Sequence, residues 1–310
     1  MADCVRDWLR DCRADVVLSV HASMLRPASV EPGVPLVADL VDEPILEAWR
    51  GVAHTAGLSA KLRLMKLMLE LAREERALCP RAKYCLLSSE ADARALRRVV
   101  PTARVGVLAN GVDAEWFQPS VASESPRSDT LVFVGNLAHP PNVAAVLHFA
   151  RRVWPLVRQA RPTARWQVVG ANPPLAVLAL TTDPRISVSG YVADVRPYLE
   201  GAAVVVSPLV SGGGIKNKVL EPWAMRKAVV ATPLGCAGLQ ARDGDNIVIA
   251  GDPAAFARRT LELLDNPARA ARLGQAGWRT AVDHYSWDTQ AAILESILAR
   301  AAGLDAAGSR

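Results

Sequence analysis

The stretch Val204–Thr232, VVVSPLVSGGGIKNKVLEPWAMRKAVVAT, places the glycines Gly212, Gly213 and Gly214 just ahead of Lys216, Lys218 and Glu221. A strand pattern ends at Ser207, a loop runs through the glycines, and a helix pattern begins near Ile215. Glycine lets backbone approach a ligand closely, and the free N–H groups and dipole of a helix start hold anions such as a diphosphate. Lys216 and Lys218 bring cationic charge to the same place. Glu221, about one turn beyond Lys218, offers a carboxylate to hydroxyl donors such as those of a ribose. A glycine hinge followed by two solvent-facing lysines and a helix-surface glutamate fits the same residues, and the motif alone weights the two readings equally.

Other chemistries find little support. Asp39, Asp42 and Glu43 in ADLVDEP read as a strand-end acidic loop, since no histidine or further acid stands at ligand spacing. No Ser-His-Asp or Cys-His set is identifiable, and the GxGxxG fingerprint is absent. Cys4, Cys12, Cys79, Cys85 and Cys236 form an odd set without a CxxC pair, against both a disulfide framework and a zinc site; a reducing cytosol fits best.

The elements that must position the glycine loop follow from short β-branched runs: Val16–Val20, Leu36–Leu40, Tyr84–Leu87 and Val105–Leu108, then Thr130–Val134, Trp166–Val169, Ile186–Ser189, Ala203–Ser207, Ala228–Ala231 and Asn246–Ala250. Helix patterns separate most of them; Asn142–Gln159 carries Val143, Val146, Leu147, Ala150 and Trp154 on one stripe. Alternation of this kind implies parallel sheets in an α/β chain. With 310 residues, 51% of them hydrophobic, the chain can bury two cores, which excludes disorder as its main state. Gln118–Asp129, QPSVASESPRSD, reads as a linker, giving domains at 1–117 and 130–288 and a C-terminal helix and tail at 289–310.

The first fifteen residues are too charged for a signal peptide, and no apolar run has the ~20 residues of a membrane span. The net charge of +5 is too mild to argue for nucleic acid. Leu58–Leu78 is patterned as a helix, with Leu58, Leu62, Met65, Leu69 and Ala72 on one stripe and Lys61, Arg63 and Lys66 in its first half. Core packing by that stripe is the favoured reading; contact with an anionic membrane surface is the alternative.

Six segments occur in a telling order: NGVD at Asn110–Asp113, FVGNLAHPPN at Phe133–Asn142, QVVGANP at Gln167–Pro173, SGYVADVRPYL at Ser189–Leu199, GGGIKNKVLE at Gly212–Glu221, and HYSWD at His284–Asp288. Over residues 35 to 300 or so this resembles the retaining glycosyltransferases of family 4, most of all the bacterial sugar transferases that accompany exopolysaccharide loci. The resemblance implies a GT-B fold of two Rossmann-like domains, a nucleotide-sugar donor on the second, a glycan or lipid-linked acceptor, no metal, and a cytoplasmic enzyme that could touch the inner membrane surface. Glu221 takes the place of the second glutamate of the family's E-x7-E element, which contacts the ribose, and Gly214 that of the glycine following the first. Amides of Ile215, Lys216 and Asn217 would face the donor phosphates, Tyr191 and Val192 the nucleobase, and Gly135 and Asn136 the diphosphate. His21 stands near a family histidine that helps bind sugar or phosphate. Catalytic roles therefore fall to Lys218, Glu221 and His21.

The sequence departs from the family pattern in several places. Gly213 replaces the first glutamate of E-x7-E, which touches the transferred sugar; NLAHPPN lacks a basic pair after the first donor-domain strand; and Pro222 falls where a helix former is usual. The chain also begins just before what looks like the family's fourth strand, so about 90 residues of the first domain are expected to be missing and a sheet edge exposed. Two other readings follow: a nucleotide-binding remnant without transferase activity, and a different GT-B enzyme such as an epimerase, which would need catalytic carboxylates that the first domain does not supply.

Overall fold

The structure is a computed structural model that describes residues 2–12, 14–28, 33–46, 48–49, 57–120, 129–212 and 216–304. Most of the expected linker and the tail 305–310 lie outside the described residues. The chain divides into two compact units, one of residues 1–110 with 288–310 and the short piece 212–215, the other of 111–211 and 216–287.

The first unit contains strands β1 (Val17–Val20), β2 (Leu36–Val41), β3 (Tyr84–Leu87) and β4 (Val105–Val107), paired in parallel in that order. Helices with bounds among the described residues include α1 (Ala2–Cys12), the single turn α2 (Leu25–Ala28), α3 (Leu58–Leu78) and α4 (Glu90–Val99). The central strands β2 and β3 are buried on both faces, as strands of parallel sheets are. Leu36, Ala38, Leu40, Cys85 and Leu87 pack with Leu78 and Leu96 on one side. On the other, Val37 and Leu86 meet Ile297 and Ala301 near the C-terminus. Lys83 Nζ donates to the Ala301 carbonyl at 2.8 Å, which fixes the end of that last helix. β1 is an edge strand and leaves Leu18 and Val20 exposed.

The second unit holds β5 (Thr130–Val134), β6 (Arg165–Val169), β7 (Ile186–Val188), β8 (Val204–Ser207), β9 (Val229–Ala231) and β10 (Val248–Ile249), all parallel, in the order β10-β9-β8-β5-β6-β7. Numbered from β5, this is the doubly wound order 3-2-1-4-5-6, whose direction reverses between β5 and β8. Its helices are α5 (Pro140–Arg152), α6 (Trp154–Ala160), the short α7 (Leu175–Leu178), α8 (Arg196–Gly201), α9 (Asn217–Ala224), α10 (Pro253–Asp265) and α11 (Pro267–Tyr285). A last helix, α12 (Trp287–Ala302), carries the chain back into the first unit. Phe149 anchors the core, its ring 4.6 Å from that of Trp166 and 5.8 Å from that of Phe256.

All ten expected strands are present; Tyr84–Leu87 and Thr130–Val134 have the expected bounds, and the others shift by at most two residues at an end. The helix expected over Asn142–Gln159 is two helices, because Pro155 near the start of α6 cannot continue the hydrogen bonding of α5. The larger correction concerns α3. Leu58, Leu62, Met65 and Leu69 do not pack into the core but are exposed; Glu75 and Leu78, on a neighbouring face, are the buried positions. Both faces repeat at three and four residues, so periodicity could not choose between them. In α12, Ile297 is buried and Leu298 packs beside it, whereas Ile293 is exposed.

Candidate functional site

In a doubly wound sheet, ligands bind outside the carboxyl ends of the strands where the strand order reverses. Here that crevice is bordered by the loop after β5, with Gly135 and Asn136, and the loop after β8, which leads to Lys216. The two loops are built differently. At the start of α5, Pro140 and Pro141 have no N–H, and the amides of Gly135, Leu137, Ala138, His139 and Asn142 already donate to Val169, Ala171, Asn136 Oδ1, Asn136 and His139. Asn136 also accepts from Asn142 Nδ2 at 2.8 Å, so this loop is a closed turn with almost no donors left for an anion. Its tightness requires glycine at position 170: a side chain there would run into the Gly135 carbonyl oxygen.

Anion-holding capacity therefore falls to the loop after β8. Gly212 adopts φ of 91°, open only to glycine at low cost. Gly213, Gly214 and Ile215, expected to line the donor phosphates, lie outside the described residues. Lys216 precedes α9 and is 4% exposed; its carbonyl accepts from Val219 and Leu220 at 2.8 and 3.1 Å, and the amides of Asn217 and Lys218, in the first turn, have no partner within the helix. The Lys216 charge also acts on the buried Cys236 thiol in the loop after β9, pulling its pKa down against the burial that raises it.

Lys218 and Glu221 lie three residues apart on α9 and are coupled. Burial holds Lys218 below the ordinary lysine range while Glu221 opposes the shift. Burial likewise pushes the Glu221 carboxyl up to about 7, with Lys218 pulling it back in part. Each group is thus ionised at a desolvation cost that a ligand of complementary charge would relieve. Pro222 is an interior residue of this short helix, which ends at Ala224. Packing holds the helix nonetheless: Trp223 is fully buried against Gly277 of α11, where any side chain would run into the indole.

The loop after β7 contains the expected base-side residues. Tyr191 is 79% exposed and Val192 partly so, following Gly190 at φ 70°. Sequence reasoning missed what fixes this loop. Asp194 accepts from the backbone N–H of Arg196 at 2.9 Å and from its guanidinium at 2.8 to 3.0 Å; that guanidinium stacks 3.6 Å over the Trp116 ring. Hydrogen bonds from Arg196 hold Asp194 below the usual carboxylate range. The D-x-R spacing hints at the ion pair, but Trp116 is eighty residues away in sequence and gives no local sign. The NGVD and HYSWD segments also meet: Val112 donates to the Tyr285 carbonyl at 2.6 Å and accepts from Trp287 at 3.3 Å.

His21 belongs to the first unit, where its Nδ1 accepts from the Ser23 amide at 3.3 Å and caps a 3₁₀ turn. Asp39 accepts from Val41 and Asp42 from Ser88, while Glu43 is 1% exposed and hydrogen bonded to Glu75 of α3. Burial and the Glu43 charge raise Glu75 to about 9, so this is a buried acid pair sharing a proton. Among the described residues, no group of three or more His, Cys, Asp or Glu side chains could hold a metal.

Residues 128–266 match the family described as glycosyl transferases group 1. The chain is 24% identical over 148 residues to an uncharacterized 44.6 kDa protein in the cps region of Klebsiella pneumoniae, an alignment that covers 44% of this chain and 37% of that protein. Among solved structures it resembles a sucrose-phosphate synthase of Thermosynechococcus elongatus, with a TM-score of 0.75, 15% identity, and coverage of 98% of this chain and 78% of the other. It also resembles Anabaena HepE in complex with UDP and glucose, with a TM-score of 0.69, 15% identity, and coverage of 95% and 81%. The fold is GT-B-like, and the matched segment 128–266 contains the Lys216–Glu221 stretch described above.

Proposed function

We propose that this chain transfers a sugar from a nucleoside diphosphate donor, held by the glycosyltransferase domain, to a glycan or lipid-linked acceptor, with retention of anomeric configuration, in exopolysaccharide or cell-surface glycan assembly. The observation that carries the proposal is the coupled Lys218–Glu221 pair at the start of α9, beside the reversal point between β5 and β8. The solved HepE complex with UDP and glucose and the cps-region relative support the donor class and the setting.

In this reaction the glycosidic bond to the donor breaks and negative charge develops on the departing diphosphate. The protein's task is to hold that diphosphate and stabilise the charge before it forms. The first-turn amides of α9, together with Lys216 and Lys218, face this task, and Glu221 accepts from the ribose hydroxyls. The closed turn at Gly135 and Asn136 shapes the opposite wall; Tyr191 and Val192 border the base. His21 keeps the role in sugar or phosphate binding that the family resemblance gives it. No metal is needed, because two lysines and a helix start supply the positive charge.

The test is calorimetric titration of the purified chain with UDP, GDP and ADP, beside a Lys218→Ala, Glu221→Ala variant. Binding lost in the variant supports the donor site; a folded parent that binds no nucleotide overturns it. Product anomers read by NMR then test retention. Gly213 in place of a sugar-contacting glutamate favours a second reading, nucleotide binding without transfer. That reading holds if the nucleotide binds and no donor sugar is turned over with any acceptor. Strictly metal-dependent transfer would count against the metal-free mechanism.

A further inference from the structure

Leu58, Leu62, Met65 and Leu69 of α3 are 75, 56, 53 and 61% exposed. They follow one another at steps of four, three and four residues, so they form a continuous apolar ridge along the first three turns. The ridge is not the face by which α3 packs, since Glu75 and Leu78 of a neighbouring face carry that contact. Contiguous exposed apolar surface of this kind marks an interaction site.

The flanking charges decide what the ridge fits. Lys61 lies on one side, and Lys66 and Arg73 on the other. Of the nearest acids, Glu74 pairs with Arg26 at 3.0 Å, and Glu70 pairs with Lys66 itself at 3.7 Å, an exposed contact between neighbouring turns that water screens and that leaves Lys66 open to headgroups. The same spacing would also suit a coiled-coil seam with a second copy. There, however, Lys61, Lys66 and Arg73 would take the flanking positions and face their own like charges across the seam. An apolar ridge bordered by cations instead complements a bilayer of anionic lipid, with the leucines at the acyl boundary and the cations among the headgroups.

We infer that the ridge of α3 docks the first unit onto an anionic membrane surface, with α3 lying in the plane of the interface. The inference stands apart from the donor site, which lies on the other unit.

Co-sedimentation of the full chain with phosphatidylcholine vesicles, with and without phosphatidylglycerol, tests it. Expected is binding only to the vesicles containing phosphatidylglycerol, weakened by added salt. Leu62→Ser with Leu69→Ser should lower partitioning about tenfold, through lost apolar burial. A second variant, Lys66→Glu with Arg73→Glu, should lower it by about fivefold or more per charge. Circular dichroism and UDP titration of both variants establish that each is folded. No binding to anionic vesicles, equal binding to neutral ones, or partitioning unmoved by both variants overturns the inference. A concentration-dependent dimer that Leu62→Ser with Leu69→Ser abolishes, in protein that ignores vesicles, assigns the ridge to a second copy and overturns it as well.

Discussion

Donor binding should tighten as pH rises through neutrality, because the carboxyl assigned to the ribose titrates there. Glu221 is raised to about 7, mainly by burial. A group with that pKa is about one-eleventh ionised at pH ~6 and about ten-elevenths ionised at pH ~8. If only the carboxylate accepts from the ribose, affinity is proportional to that fraction and rises about tenfold over the interval, equivalent to ~1.4 kcal/mol. The assay is calorimetry with UDP-glucose, whose diphosphate, unlike that of free UDP, has no proton titrating in this range. Repeating it near pH 7 in buffers of different ionisation enthalpy should report release of about half a proton on binding. Lys218 acts in the opposite sense: a lysine held low takes up a proton on meeting phosphate, which weakens binding as pH rises. Glu221→Gln should therefore abolish the tightening. Lys218→Met should keep it but move it to higher pH, since Lys218 is what pulls the carboxyl down. Affinity that stays flat in the parent, or a rise that survives Glu221→Gln, refutes the assignment.

Other perturbations address the frame of the site. Gly277→Ala drives a methyl group into the buried Trp223 indole and should cost about 1–3 kcal/mol, lowering the thermal midpoint and, through α9, the nucleotide affinity. Trp116→Ala removes the platform under Arg196 and should weaken nucleotide binding with little change in the unfolding midpoint, since Trp116 is 52% exposed. In the first unit, Glu75 is raised from 4.5 to about 9, so the folded state holds a proton that the unfolded chain releases. Stability from this group is complete below pH ~4.5 and is lost as pH rises through about 9, at up to ~1.4 kcal/mol per pH unit. Glu75→Gln keeps the hydrogen bond without the titration, and denaturant midpoints at pH ~6 and ~8 should lie closer together than in the parent.

What the sequence could and could not reveal follows from the range of each interaction. Strands such as Val204–Ser207 and Thr130–Val134 are short apolar runs ended by Gly, Pro or Asp, signals that lie within a few neighbouring residues. Their order in the sheet is fixed by crossovers tens of residues long. Only the structure therefore shows that the glycine loop after β8 and the Gly135 loop after β5 flank the same reversal. Lys216, Lys218 and Glu221 were legible as a charged set. Their burial was not, because α9 packs against α11, where Trp223 meets Gly277 more than fifty positions away. Glu43 shows the same limit: its partner Glu75 comes from another element, so ADLVDEP alone could only read as a surface loop.

The helix α3 separates two kinds of failure. Its limits and period were legible to the residue, Leu58–Leu78, yet the expected core stripe is the exposed one. A helix with apolar residues on two adjacent faces satisfies the periodicity test twice, and the test carries no information about which face the sheet receives. Charge does. Lys61, Lys66 and Arg73 border Leu58, Leu62, Met65 and Leu69 and would be costly to carry into a core, whereas the packed face has a single acid, Glu75, buried beside Glu43. In helices with two apolar faces, then, the face bordered by cations is the one to leave outside, and its exposure calls for a partner whose own charge is negative.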